Sequence, residues 1–113
     1  MAVLDEESLQ KDRTLAEMVQ RLVAAFQPER IYLYGSRARG EGRPDSDYDL
    51  FMVVSESALP RYRRDQAAFR SLCGIRASKE IVVFTRDEFI SKLSVVCSLP
   101  ATVAREGKLL YAT

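Results

Sequence analysis

The sequence contains no histidine and only two cysteines among 113 residues. Because histidine is the side chain that titrates nearest to neutral pH, any catalysis by this chain has to rely on carboxylates, metals or lysine. Cys73 and Cys97 form no CxxC motif and have no histidine to join them, so a zinc site and a disulfide framework lack support. We therefore expect two reduced, mostly buried thiols in a cytoplasmic protein.

A long apolar run and an excess of charge are also missing. The longest apolar stretch, residues 50–54, is far too short to cross a bilayer, and we expect no signal peptide in the acidic N-terminal residues. The formal net charge is +1, which gives no direct evidence for nucleic-acid binding through a strongly basic surface. With 47% hydrophobic residues, the sequence predicts a single domain spanning residues 1–113.

The hydrophobic pattern alternates between helical and strand spacing along the chain. It predicts helices over residues 5–26, 60–73, 87–93 and 100–106, and strands over residues 31–34, 48–54, 80–84 and 109–111. Thr85 is the expected N-cap of the third helix. The second helix is expected to have a solvated charged face formed by Arg61, Arg63, Arg64 and Asp65. The order of elements predicts an α/β (α+β) fold, a small mixed β-sheet with helices packed mainly on one face.

Gly35 and Ser36 follow the first predicted strand and begin a turn-forming segment rich in glycine and arginine. Glycine has no Cβ, so a ligand can approach the backbone closely at Gly35. If Ser36 begins a helix, its hydroxyl and amide favour binding of a phosphate group. The same two residues also fit an ordinary tight turn with an N-cap, so this pair alone does not decide between the two interpretations.

Asp47 and Asp49 lead directly into the second predicted strand. Side chains two positions apart on a strand point to the same side, so both carboxylates project together while Tyr48 points away. Like charges repel each other unless a cation lies between them, and Mg²⁺ bound by carboxylates, substrate phosphates and water suits such a pair. Two solvated aspartates at the surface are the competing interpretation.

The acidic residues around this pair also match part of a calcium-binding EF-hand loop. Asp45, Asp47, Asp49 and Glu56 occupy the first, third, fifth and twelfth positions of that loop. The loop requires glycine at its sixth position, where this chain has Leu50, and the apolar residues that follow predict a buried strand. We therefore interpret the match as coincidental.

The combination of the two motifs is more specific than either one. Gly35-Ser36, ten intervening residues and Asp47-x-Asp49 resemble the GS-x10-DxD signature of the DNA polymerase β-like nucleotidyltransferases. The segment GSRARGEGRPDSDYDL and the ending AREGKLLYA resemble the minimal nucleotidyltransferases of that superfamily, which include the antitoxins of HEPN/MNT toxin–antitoxin pairs. The resemblance extends over nearly the whole chain and implies the polymerase β-like nucleotidyltransferase fold.

The resemblance assigns roles to particular residues. It implies that Gly35 and Ser36 hold a nucleoside triphosphate and that Asp47 and Asp49 are catalytic ligands in a two-metal Mg²⁺ site. The family's third carboxylate corresponds to Glu80, which is one methylene longer than the usual aspartate. Glu80 would bind the second metal or help to deprotonate the attacking hydroxyl.

Two pairs of charged residues near these motifs are additional candidates. Arg37 and Arg39 are candidates for nucleotide binding, because guanidinium groups make bidentate contacts with phosphates. Asp87 and Glu88 are weaker candidates, because acidic residues also suit the first turn of a helix.

The implied function is the metal-dependent transfer of a nucleotide, with AMP from ATP favoured, onto a hydroxyl group. The implied acceptor is a HEPN toxin, an all-helical partner protein that this chain would neutralise as an antitoxin. Two alternatives remain open. One is a catalytically inactive subunit that binds nucleotide or masks the toxin, and the other is a metal-dependent phosphodiesterase, which a turn suited to a triphosphate disfavours.

Overall fold

A computed structural model describes residues 3–4, 6–40, 43 and 46–113 of the protein. Ten helices and strands lie within these residues, which agrees with the predicted alternation. In chain order they are β1 (Val3–Leu4), α1 (Glu6–Lys11), α2 (Arg13–Phe26), β2 (Arg30–Tyr34), β3 (Tyr48–Val54), α3 (Arg61–Ser71), β4 (Lys79–Thr85), α4 (Arg86–Lys92), α5 (Leu99–Glu106) and β5 (Lys108–Ala112).

The strands form one mixed sheet in the order β1-β5-β2-β3-β4. β3 and β4 are parallel, and the remaining neighbours are antiparallel. A parallel pair needs a long crossover connection, which here contains α3. The predicted mixed sheet is therefore confirmed, and β4 is one of its two edge strands.

The two faces of the sheet are covered to different extents. α2 and α3, the two longest helices, pack on one face against alternate strand residues such as Leu33, Leu50 and Ile81. The short helices α4 and α5 pack on the other face, against Phe51 and Phe84. The helices thus lie mainly on one face, as predicted, and the second face is covered only in part.

The predicted first helix is divided in two. Asp12 separates α1 from α2 and caps α2, since its Oδ1 accepts a hydrogen bond of 3.1 Å from the backbone N–H of Leu15. The Tyr48 hydroxyl donates a 2.6 Å hydrogen bond to Asp12 Oδ2, which ties this helix start to β3. The predicted starting residue, Asp5, lies outside the described residues. Sequence periodicity also missed β1, which is only two residues long.

The prediction of a solvated face for the second helix is wrong for two of its four residues. Arg64 is buried, and its guanidinium donates to the Val83 carbonyl at 3.0 Å and to Glu88 Oε1 at 2.7 Å. Asp65 is half-buried and accepts a 2.8 Å hydrogen bond from the Val83 N–H. The physical reason is that α3 runs beside the edge of β4, where unpaired backbone groups need partners. Arg61 and Arg63 are exposed, as predicted.

The prediction that the two thiols are mostly buried is also wrong, because Cys73 and Cys97 are free but exposed. Each lies in a turn next to a helix end and does not reach the core.

Thr85 caps α4 as predicted: its hydroxyl accepts from the Glu88 N–H while the Glu88 carboxylate accepts from the Thr85 N–H. Within the described ranges, no helix is long and apolar enough to cross a membrane.

Candidate active site

β3 places Asp49 and its neighbour Tyr48 on opposite faces of the sheet. Tyr48 is 6% exposed and packs in the core with α2 and α3. Asp49 is half-buried on the other face, and Asp47 precedes it by two residues in an exposed position. The predicted divergence of Tyr48 from Asp49 is thus present, and it follows from the two-residue period of a strand.

Gly35 lies directly against the Asp49 carboxylate. The two come together because β2 and β3 are antiparallel, with Tyr34 opposite Asp49, so that Gly35 follows at the end of β2. A Cβ added to Gly35 would collide with Asp49 Oδ2 and lie 3.3 Å from Asp49 Cγ. The Gly35 φ angle of +76° is in the left-handed region, which also favours glycine. Both constraints explain why glycine occupies this position.

Glu80 lies beside Asp49 on the neighbouring strand. The two residues are Cα partners in the parallel pairing of β3 with β4, and Glu80 is exposed. Burial raises the pKa of Asp49 above its ordinary value, and the negative charges of Glu80 and Asp47 raise it further. We call Asp47, Asp49 and Glu80 the carboxylate cluster. The structure brings these three predicted residues to one region of one face, next to the Gly35-Ser36 turn.

Sequence reasoning missed two residues near this cluster. Tyr34 is half-buried opposite Asp49, and burial together with the charges of Asp49, Glu80 and Asp65 raises its pKa to about 12. Its hydroxyl therefore keeps its proton at neutral pH. The pKa of Asp65, on α3, is raised mainly by burial. The alternation of β2 could have identified Tyr34, whereas the position of Asp65 depends on packing between distant elements.

Arg37 is bound to the protein itself. Its Nε donates a 2.9 Å hydrogen bond to the Ser46 carbonyl, and its guanidinium lies 3.9 Å from the centre of the Tyr48 ring. Its Nη1 is also 3.9 Å from Asp12 Oδ2. These contacts connect the two ends of the loop between Gly35 and Asp47. Arg39 is exposed on the same loop, and nucleotide binding by either arginine stays a prediction.

The carboxylate cluster has the donor chemistry that suits a hard cation. Among the residues that the structure describes, no group of three or more acidic or cysteine side chains is close enough together to hold a metal ion alone. Mg²⁺, however, commonly binds through one or two carboxylates and takes its other ligands from substrate phosphates and water. Asp49 and the nearby Asp47, whose charge acts on the Asp49 carboxyl, fit that requirement, with Glu80 beside Asp49.

The weaker candidates Asp87 and Glu88 lie elsewhere. Glu88 forms a bidentate ion pair with Arg64, with N–O distances of 2.7 and 3.0 Å, in addition to its part in the cap of α4. This pairing lowers the pKa of Glu88 to about 2. Asp87 is exposed in the first turn of α4. Both residues therefore have the helix-start positions that the sequence predicts for them.

A mixed sheet with a glycine–serine turn beside an aspartate pair at the start of one strand is the arrangement expected of a nucleotidyltransferase-type domain. Residues 13–104 match the family described as "Nucleotidyltransferase domain". The chain therefore belongs to the nucleotidyltransferase domain family. No curated protein matches the chain.

Three solved structures have a similar fold. A Sulfolobus solfataricus protein proposed to be a nucleotidyltransferase is 26% identical, with a TM-score of 0.57 over 70% of each chain. A toxin–antitoxin structure with AMP-PNP is 23% identical, with a TM-score of 0.52 over 86% of this chain and 73% of the other. A mutant of the toxin–antitoxin MntA–HpeT is 19% identical, with a TM-score of 0.55 over 87% of this chain and 72% of the other. The last two similarities bear on the fold alone.

Proposed function

We propose that this protein transfers AMP from ATP, with Mg²⁺, to a hydroxyl group of a HEPN-type toxin partner and thereby acts as an antitoxin. The observation that carries the proposal is the contact of Gly35 with the Asp49 carboxylate, which leaves no room for a Cβ. A backbone turn suited to phosphate and a carboxylate suited to Mg²⁺ thus lie side by side, as a metal–triphosphate complex requires.

The proposed reaction is an in-line displacement at the α-phosphorus of ATP. The acceptor oxygen forms a bond to this phosphorus, the bond to the bridging oxygen of the β-phosphate breaks, and pyrophosphate leaves. Gly35 and Ser36 would hold the triphosphate, and Asp47 and Asp49 would hold the metal. Bound Mg²⁺ would stabilise the charge on the phosphate oxygens and lower the pKa of the attacking hydroxyl. Glu80 accepts the proton of that hydroxyl.

The assignment of donor and partner rests on the known structures as well as on the site. One neighbour in fold is a toxin–antitoxin with AMP-PNP, an analogue of ATP. In the MntA–HpeT mutant, two aspartates two positions apart were replaced by glutamate, which is the spacing of Asp47 and Asp49 in this chain. These facts belong to the other proteins, and they favour an adenine nucleotide and a toxin partner here.

Intact-mass spectrometry tests the proposal directly. The chain is incubated with Mg²⁺, ATP and a purified HEPN-type partner protein, beside Asp47→Ala and Asp49→Ala variants. We expect the mass of the partner to increase by whole AMP units with the wild-type chain only. Unmodified partner together with intact ATP binding would contradict transfer and favour a nucleotide-binding subunit, and loss of both would contradict the nucleotide site itself.

A pair of glycine variants tests the contact that carries the proposal. Gly35 and Gly40 have nearly equal φ angles, +76° and +75°, but a Cβ at Gly40 would meet nothing within 4 Å. Backbone strain is therefore similar in Gly35→Ala and Gly40→Ala, whereas only the first displaces Asp49. We expect AMP transfer to fall about 100-fold more in Gly35→Ala, as for a misplaced catalytic group. Equal activity of the two variants would show that the contact with Asp49 has no catalytic role.

A further inference from the structure

A groove of about 650 Å³ lies at the edge of the sheet, between α3 and β4. We call it the edge groove. It is lined by Asp65, Phe69 and Arg70 from α3 and by Glu80, Ile81 and Val82 from β4, among others. Glu80 belongs to both the edge groove and the carboxylate cluster. The groove is therefore continuous with the candidate active site, although the sequence motifs do not indicate it.

The strand order places the edge groove on the side of the carboxylates opposite to the Gly35-Ser36 turn. This turn follows β2, the aspartate pair lies at the start of β3, and Glu80 belongs to β4, beyond which the groove begins. Two strand spacings separate β2 from β4, or about 10 Å. In an in-line displacement the attacking and leaving oxygens lie on opposite sides of the phosphorus. With the leaving phosphates at Gly35-Ser36, we expect the acceptor to approach from the side of the edge groove.

The lining of the edge groove suits an extended polypeptide. Asp65 and Arg64 bind the outward-facing N–H and C=O groups of Val83. Backbone groups two residues apart on a strand point to the same side, so those of Ile81 face the groove, where an extended segment can pair with them. The half-exposed ring of Phe69 and the side chain of Val82 provide apolar contacts beside this backbone edge.

The charges of the edge groove favour a protein over a nucleic acid. Asp65 and Glu80 are acidic, and Arg70 and Lys79 are basic, so the lining has no excess of positive charge. Lys79 is moreover held internally, since its Nζ donates to the carbonyls of Ile75 and Ala77. A phosphate backbone would need a clearly basic lining. A polypeptide needs no such excess of positive charge.

We infer that the edge groove binds an extended segment of the acceptor protein and presents its hydroxyl group to the carboxylate cluster beside Glu80. The inference rests on the proposed function, because it uses the direction of attack on the triphosphate. Beyond the proposed function, the inference states where the acceptor binds and that its bound segment is a stretch of polypeptide in strand conformation.

Two exposed aromatic residues of α3 provide a matched pair of variants. Phe69 lines the edge groove and is 50% exposed, whereas Tyr62 is 61% exposed on the same helix and does not line the groove. Phe69→Glu and Tyr62→Glu are compared with the wild type for binding of the HEPN-type partner protein and for binding of Mg·ATP. We expect Phe69→Glu to weaken partner binding about tenfold, as for the loss of a central apolar contact, and to leave ATP binding unchanged. Tyr62→Glu should change partner binding less than about twofold.

Photo-crosslinking provides a test that does not depend on a destabilising charge. Benzoylphenylalanine at position 69 should crosslink to the partner protein, and the same residue at position 62 should not. Equal partner affinity in Phe69→Glu and the wild type, no partner binding by the wild type, or equal crosslinking from both positions would overturn the inference. Phe69-dependent binding without AMP transfer would support the edge groove as a partner site and contradict the transferase function alone.

Discussion

The sheet face that carries Phe51 and Asp49 has two halves, which differ in side-chain polarity and in exposure to solvent. In the first, the aromatic half, Phe51 and Phe84 of the sheet pack against Phe89 of α4, and each of the three is at most 8% exposed. The ring centroids of Phe51 and Phe84 are 4.9 Å apart. In the second, the carboxylate half, Asp49 is half-buried beside Tyr34, and Glu80 is exposed on the neighbouring strand. Asp49 and Phe51 are only two residues apart on β3.

The difference shows that side-chain polarity, and not backbone geometry, decides which half is covered. A helix over the carboxylate half would take Asp49 and Glu80 out of water without any basic partner, which is very costly. The same helix over Phe51 removes apolar surface from water, which is favourable. A site for a charged ligand is thus left open next to a closed core. Stability should therefore depend on the aromatic half, and activity on the carboxylate half.

The largest expected effect is on activity, in Asp49→Asn. This change removes a charge from the metal site, and AMP transfer should fall about 1000-fold. Because burial and the charges of Glu80 and Asp47 disfavour the ionised form of Asp49, the free energy of unfolding at pH 7 should be equal to or higher than that of the wild type. Transfer assays and urea unfolding measure the two quantities. Asp87→Asn, in the exposed first turn of α4, is the control, and a clear loss of stability in Asp49→Asn would contradict the separation of the two halves.

The next effect is on stability, in Phe51→Ala. Phe51 is fully buried and contacts Tyr32, Phe84 and Phe89, so its truncation should lower the free energy of unfolding by about 4 kcal/mol. Tyr34→Phe, on the same face in the carboxylate half, should change it by less than about 0.5 kcal/mol. Urea unfolding at pH 7 compares the two variants. Similar losses would show that both halves belong to one core.

A somewhat smaller loss is expected in Arg64→Ala. Arg64 connects α3, the Val83 carbonyl and Glu88 at the start of α4, so its removal leaves buried acceptors without donors. Breaking a buried ion pair costs about 3 kcal/mol, although the exposed part of Glu88 reduces this. Arg63→Ala, the exposed neighbour on α3, should be almost neutral in the same urea unfolding experiment. Equal effects would mean that the ion pair does not stabilise the aromatic half.

The arginine pair also shows how far the sequence predicts this molecule. Arg63 and Arg64 are adjacent in a highly charged stretch, and no local pattern distinguishes the exposed residue from the buried one. Burial of Arg64 depends on Val83 and Glu88, which are 19 and 24 residues away. Similarly, the hydrogen bond from Tyr48 that ties Asp12 to β3 spans 36 residues. Such contacts have no periodicity in the sequence.

The candidate site was more predictable because it is built from local rules. The two-residue period of a strand is sufficient to place Asp47 and Asp49 on one side and Tyr48 on the other. The sequence predicts close approach of a ligand at Gly35, whereas the contact of Gly35 with the Asp49 carboxylate follows from the pairing of β2 with β3. The edge groove, in contrast, depends on the order of the strands, which no local pattern gives. The catalytic roles of these residues stay predictions until transfer is measured.

The smallest expected effect concerns the pH dependence of stability. The ion pair with Arg64 lowers the pKa of Glu88 from 4.5 to about 2, so the folded state favours the ionised carboxylate. The stability that Glu88 contributes is thus fully present above its unfolded-state pKa, and it is lost as the pH falls from about 4.5 to about 2. The raised pKa values of Asp49 and Asp65 act in the opposite direction, because the folded state then takes up protons more readily. The penalty on these two carboxylates disappears as the pH falls to their ordinary pKa of 3.8, so wild-type unfolding curves near that pH contain both contributions.

The variant Glu88→Gln separates the contribution of Glu88 from that of Asp49 and Asp65. This variant keeps the size of the side chain but cannot titrate, so the difference in unfolding free energy between wild type and variant should decrease steadily as the pH is lowered through this range. For Asp49→Asn, the unfolding free energy of the wild type should rise relative to that of the variant as the pH is lowered. The reason is that the wild type loses the penalty on the ionised Asp49 when this carboxylate takes up a proton. Chemical unfolding at several pH values measures both. If the two differences changed in the same direction, the two halves of this face would not differ in how they respond to charge.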